Sequence, residues 1–241
     1  MTLNCKNYYF YEYTRGADFI MEDAYPIGTN STWSKWGTVV NSTYGNSGCD
    51  GPCQGNVQDV PDRLDALGRY EAWLGLFPKT KAHNPQAFHG EGYWARDPTQ
   101  GEAVAMNALA FNHGAKSIIA WLWAPPSDAL ADIHGEYASV VAAAPVKDFI
   151  VGQKAQRVEV EGWEILDVAF WRDGSEMLLC VVNGGYVPIN ETVSITFPVE
   201  VIPASVTGNV WGEMNWQLSG NSVEMSHLSD MTTYMAIFEL E

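Results

Sequence analysis

The run Ser117-Ile118-Ile119-Ala120-Trp121-Leu122-Trp123 is apolar at nearly every position. A strand of that composition has to be covered on both faces, and such strands belong to parallel sheets flanked by helices. Its surroundings agree. Pro98-Thr99 opens a helix with Glu102 three residues on, a capping-box spacing. Val104, Ala105, Ala108, Leu109 and Phe111 give that helix its apolar side, and Gly114 closes it. Pro125-Pro126 stops the strand, and Ser127 caps a further helix running to about Ala144.

The same unit recurs upstream. Phe19 to Asp23 reads as a short strand with Glu22 and Asp23 at its C-terminal end. A helix starts near Asp59-Val60-Pro61, with Leu64, Leu67, Tyr70, Glu71 and Leu74 at 3–4 spacing and an end at Gly75 to Pro78. Thr80 to Asn84 is the next strand, stopped by Pro85. The first segment therefore reads as three β/α units. After Pro145 the pattern turns to strands at 157–161, 164–172, 177–183, 192–197, 206–211 and 232–240. Asp173-Gly174, Gly184-Gly185 and Ser219-Gly220-Asn221 mark turns among them. Charge steps at the same place: residues 1–147 hold 15 acids and 10 bases, residues 148–241 hold 14 acids and 3 bases. The expected division is an α/β domain over 1–147 and an antiparallel β-sandwich over 148–241.

A net charge of −16 argues against nucleic acid or an anionic membrane surface as partner, and no apolar run is long enough for a membrane span. Sequons at Asn30, Asn41 and Asn190 predict glycosylation and a secreted protein. Cys49 and Cys53, in a loop rich in Gly, Asp and Asn, predict a local disulfide. Cys180 lies in an apolar strand and reads as a buried core residue, and Cys5 has no evident role. The first residues lack the pattern of a signal peptide, so the natural N-terminus is expected upstream of Met1. No G-x-G-x-x-G follows a strand, and no P-loop, H-E-x-x-H or calcium-loop pattern is present. Neither metal nor cofactor is expected.

Three motifs carry a resemblance. Pro85-Gln86-Ala87-Phe88, then Tyr93-Trp94-x-Arg96-x-Pro98-Thr99-x-x-Glu102, then Ala110-x-x-His113-Gly114-Ala115-Lys116-Ser117-Ile118-Ile119-x-Trp121 resemble the last part of (β/α)8-barrel glycoside hydrolases, including secreted fungal proteins of that superfamily. The chain departs from the usual pattern in Arg96-Asp97-Pro98-Thr99, one residue longer, and in Ser117 where Gly is common. The resemblance implies a partial (β/α)8 (TIM) barrel, comprising about its last three β/α units as strands six to eight, followed by the sandwich. It also implies a missing N-terminal barrel half as a possible partner, and a carbohydrate substrate.

Glycoside hydrolysis uses two carboxyl groups. Glu22 and Asp23 are adjacent, so strand alternation turns them to opposite faces and they do not form a pair. If Phe19 and Met21 pack on the outer helices, Ile20 and Glu22 face the barrel axis, which makes Glu22 the preferred acid; a cap, or a partner such as Arg15 or Arg96, is its structural alternative. Asp23 lies just past the strand and can swing inward. In the superfamily the nucleophile is a Glu ending strand seven. Here Gln86 and His89 stand there, and Glu91 is the nearest Glu, so Glu22, Asp23 and Glu91 are the catalytic candidates. Tyr25, Gln86, His89, Tyr93, Trp94, Trp121 and Trp123 are the candidates for sugar contact, with Trp123 as stacking platform. Two further readings are a carbohydrate-binding barrel that lost its nucleophile and an inactive truncated fragment.

Overall fold

A computed structural model of the chain describes residues 2–3, 9–29, 54–90, 94–121 and 127–241. The chain divides into two compact units, Met1–Ile133 and His134–Glu241.

The first unit alternates strand and helix: β1 (Thr2–Leu3), α1 (Phe10–Thr14), β2 (Phe19–Glu22), α2 (Asp59–Trp73), β3 (Thr80–His83), α3 (Gln100–Asn112) and β4 (Ala115–Ile118). All four strands are parallel and lie in the order β1-β2-β3-β4. Local chemistry sets the elements. Pro61 sits in the first turn of α2, where its missing N–H costs nothing. The Asp59 carboxylate accepts the N–H groups of Gln54 (2.6 Å) and Gly55 (2.8 Å), fixing the chain that enters α2. Thr99 and Glu102 form the expected capping box of α3. Every residue of α3 from Glu102 to Asn112 is buried, as its continuous apolar content requires.

Four parallel strands replace the expected three, because β1 precedes the strand read as the first. The face carrying Ile20 is also the reverse of the expectation. Ile20 is buried with Phe10 of α1 and Leu67 of α2. Lys81, its partner in register, donates from Nζ to Glu71 Oε2 of α2 at 2.8 Å. Phe19 is 56% exposed. Ile20, Glu22, Lys81 and His83 therefore share the helix-facing side of the sheet, and Phe19 and Met21 lie on the other. The apolar pull of Leu67 and Phe10 sets the face. β4 ends at Ile118, short of the expected Trp123, and Ile119 and Trp121 are exposed.

α4 (Asp128–Val141) crosses the division between the units. The pattern change at Pro145 puts the expected division after residue 147. The second compact unit starts at His134, and Tyr137, in the second half of α4, is buried against its sheet: its ring lies 5.0 Å from that of Trp211, and its hydroxyl is 3.7 Å from Met235 Sδ.

The second unit continues with α5 (Val146–Gly152), β5 (Gln156–Val158), β6 (Leu166–Asp173), β7 (Glu176–Asn183), β8 (Val193–Thr196), β9 (Pro203–Trp211), β10 (Gln217–Ser219), β11 (Ser222–Met225) and β12 (Thr232–Leu240). A five-stranded antiparallel sheet runs β5-β6-β7-β12-β9, and a three-stranded one runs β10-β11-β8. Their facing sides share one core: Val168, Phe170, Leu179, Val181, Ala236 and Phe238 meet Val193, Ile195, Val223 and Met225. On the other side of the large sheet Trp171, Leu178, Cys180 and Met235 are buried too, and α5 packs on β6 and β7 there. Burial on both faces explains the unbroken apolar run of β7, whereas β8 alternates buried and exposed. Cys180 is a buried thiol outside any disulfide. No helix among the described residues is long and apolar enough to cross a membrane.

Candidate functional site

The C-terminal ends of parallel strands are where an α/β sheet places chemistry. Here β2 and β3 bring four polar side chains together in two registered pairs. Glu22 stands opposite His83, and the Asn84 N–H donates to the Glu22 carbonyl at 3.1 Å, so Asp23 and Asn84 follow in step. Alternation then puts Glu22 and His83 on the helix side and Asp23 and Asn84 on the opposite side.

The first pair is closed to solvent. Glu22 and His83 are both 0% exposed. His83 Nδ1 donates to Glu22 Oε1, and Glu22 Oε2 accepts the N–H of Ala24 at 2.8 Å. A carboxylate only accepts, so this contact puts the ring proton on Nδ1 of His83 and leaves Nε2 as an acceptor when the ring is neutral. That Nε2 has no hydrogen-bond partner among the described residues. Neither Arg15 nor Arg96 is the partner of Glu22. Arg15 lies over the Tyr11 ring at 5.3 Å, and Arg96 makes a bidentate pair with Glu102, both contacts at 2.7 Å. In the second pair Asp23 is 7% exposed and Asn84 1% exposed.

The loops that follow β2 and β3 are fastened to each other. Gln86 is fully buried and grips Ile27 at both ends: its Nε2 donates to the Ile27 carbonyl (2.9 Å) and its Oε1 accepts the Ile27 N–H (2.8 Å). Trp94 Nε1 donates to the Tyr25 carbonyl at 2.9 Å. The Ala95 N–H donates to the Gly28 carbonyl at 2.8 Å, and Thr29 bridges Trp94. Gly28 has φ +74°, and a Cβ there would lie 2.9 Å from the Arg96 carbonyl oxygen, so only glycine suits this crossing. Tyr25, Phe88 and Trp94 pack edge to face at centroid distances of 5.0, 5.9 and 5.0 Å and form a small buried cluster.

The structure thus gathers Glu22, Asp23, Tyr25, Gln86 and Trp94 into one strand-end assembly. His89 stands at its margin, half-exposed, with Nδ1 2.7 Å from Asp97 Oδ1. Trp121 is 60% exposed beyond the end of β4. Asn190 is exposed in the second unit, just before β8. Glu91, Tyr93, Trp123, Asn30, Asn41, Cys49 and Cys53 lie outside the described residues. From the sequence, His83 reads as a satisfied polar group rather than a catalyst, and Asn84 and Phe88 are not singled out as site residues. A signal for His83 exists: it holds the same place at the end of its strand as Glu22 does in the neighbouring one. Among the described residues no group of three or more His, Cys, Asp or Glu side chains could hold a metal ion.

No model of a protein family matches the chain, and no curated protein matches it. Solved structures do resemble it. A noncanonic maltogenic alpha-amylase from Thermotoga neapolitana superposes with a TM-score of 0.51 at 13% identity, over 75% of this chain and 46% of its own. A putative alpha-galactosidase from Bacteroides fragilis does so with a TM-score of 0.54 at 10% identity, over 96% of this chain and 45% of its own. The chain spans less than half the length of either protein. At these identities the likeness is one of fold, and the fold of this chain is like that of part of a glycoside hydrolase.

Proposed function

We propose that the chain belongs to a glycoside hydrolase acting on oligo- or polysaccharides by carboxylate acid/base chemistry, with Asp23 as one of its carboxyl groups and Glu91 as the other. Asp23 carries this reading. It directly follows β2, where alternation turns it away from the helices, while the rival carboxylate, Glu22, is turned to the helix side and held by His83 and Ala24. The parallel unit is then the last part of a (β/α)8 barrel, with β2, β3 and β4 as strands six to eight and β1 as a piece of strand five. The antiparallel unit is the β-sandwich that follows. Sugar contact falls to Trp121, to His89, and to Tyr93 and Trp123. Exposure of Asn190 suits a glycan acceptor and supports a secreted protein.

One observation favours a second reading, a carbohydrate-binding protein without hydrolysis. Gln86 and Glu22 direct their polar groups to partners inside the protein, so neither is turned to a substrate. Incubation with α-glucan, β-xylan and galactan oligosaccharides, read by release of new reducing ends, separates the two. Hydrolysis that disappears in Asp23→Asn supports the enzyme. Saturable binding of one of these glycans with no new reducing ends supports the binding protein.

A further inference from the structure

We infer that Glu22 and His83 form a positioning dyad that sets the place of Asp23, an inference that rests on Asp23 being the reactive carboxyl. Three facts meet at Glu22. Its Oε2 accepts the N–H of Ala24, the residue directly after Asp23, at 2.8 Å. Its Oε1 is held by His83 Nδ1 from the neighbouring strand. Both side chains are closed to solvent.

The carboxylate of Glu22 therefore bends back over Asp23 to hold the backbone on its far side, while the imidazole of His83 fixes the carboxylate's other oxygen to β3. The backbone of Asp23 is bracketed. Before it, the Glu22 carbonyl accepts the Asn84 N–H at 3.1 Å; after it, the Ala24 N–H is tied to the Glu22 side chain. A carboxyl group placed at the first residue past a strand depends on such ties, since the ladder no longer holds it. Productive geometry tolerates displacements of only about 0.5 Å, and a misplacement near 1 Å can cost about a hundredfold in rate. Burial of an ionisable side chain without an exit to solvent is a costly way merely to fill space. Two hydrogen-bonded contacts that converge on the residue flanking Asp23 give that burial a purpose.

Glu22→Gln keeps an oxygen for the Ala24 N–H, Glu22→Ala keeps none, and His83→Gln keeps a donor towards Glu22. In the whole chain, amide hydrogen exchange at Ala24 is expected to be slow in the wild type and in Glu22→Gln, and at least tenfold faster in Glu22→Ala, with the amides of α3 unchanged. On whichever of the α-glucan, β-xylan or galactan probes the wild type cleaves, Glu22→Ala is expected to lower kcat at least tenfold with KM within twofold. Glu22→Gln is expected to restore most of that rate, His83→Gln to fall between, and Asp23→Asn to abolish cleavage. If Asp23→Asn is inactive while Glu22→Ala turns over like the wild type, the positioning role is overturned and Asp23 keeps its own. If Ala24 exchanges equally fast in the wild type and Glu22→Ala, the role is overturned whether or not any glycan is cleaved. If the wild type cleaves none of the probes, the hydrolase reading fails on its own, and the Ala24 exchange rates alone uphold or overturn the tie between Glu22 and the backbone.

Discussion

Replacing Gln86 by Leu tests the fastening between the loops after β2 and β3. Leu is apolar and of similar bulk but ends one bond short of the amide atoms, so the change removes both hydrogen bonds and keeps most of the packing. Gln86 is 0% exposed and Ile27 1% exposed, and both bonds of the Ile27 peptide to Gln86 are short, 2.8 and 2.9 Å. Leaving a buried N–H and a buried C=O without that partner costs about 1–3 kcal/mol each. Burying the Leu side chain instead of an amide offsets about 1–2 kcal/mol of this. The central expectation is a loss of about 2.5 kcal/mol. For a chain of 241 residues that corresponds to a fall in Tm of roughly 5–10 °C. Urea unfolding followed by far-ultraviolet circular dichroism measures the free energy, and a thermal scan measures the midpoint. Where the two units melt apart, only the transition of the parallel unit should move. A Gln86→Leu variant within about 0.5 kcal/mol of the wild type would mean that these bonds do not hold the loops.

Gly28→Ala should destabilise the same unit by about 1–3 kcal/mol, since the residue combines φ +74° with a Cβ 2.9 Å from the Arg96 carbonyl oxygen; the same urea titration checks it. Tyr137 should make the protein weaken in alkali. Complete burial, with the nearby Cys180 as a smaller cause, holds its phenol well above the usual 10. The unfolded chain therefore releases this proton from about pH 10 upward while the folded chain keeps it. Stability is intact below about pH 10 and falls above it by up to about 1.4 kcal/mol per pH unit. Urea midpoints from about pH 8 to 11 should show a shallower alkaline slope in Tyr137→Phe than in the wild type, and equal slopes would refute the assignment.

Much of this architecture was legible because strong local signals agreed with the tertiary environment. The capping box at Thr99 and Glu102 formed as read, and the six strands read after Pro145 all appear, displaced by a few residues at their ends. What escaped has physical causes. β1 is two residues long and carries no alternation to detect, and its pairing with β2 is a long-range event. α5 follows a proline that reads as a stop, and its helix is fixed by Phe149 and Ile150 packing inward rather than by a cap. Ser219-Gly220-Asn221 reads as a turn, but the strands on either side, three and four residues long, are too short for a clear pattern. For the site, alternation turns Glu22 and Asp23 to opposite faces. It could not say which face met the helices, because that depended on whether Ile20 or Phe19 found Leu67. The chemistry of Gln86 suits a sugar contact, and its actual partner, a peptide group 59 residues earlier, leaves no trace in sequence.

We propose that Asp23 carries the chemistry of this strand end. The most direct test is the rate at which the wild type and Asp23→Asn release reducing ends from the α-glucan, β-xylan and galactan oligosaccharides, with urea midpoints confirming that both are folded. The assignment predicts cleavage of at least one of the three by the wild type and a loss of more than about a hundredfold in Asp23→Asn. Equal rates in the two proteins, or no cleavage by the wild type, would contradict it.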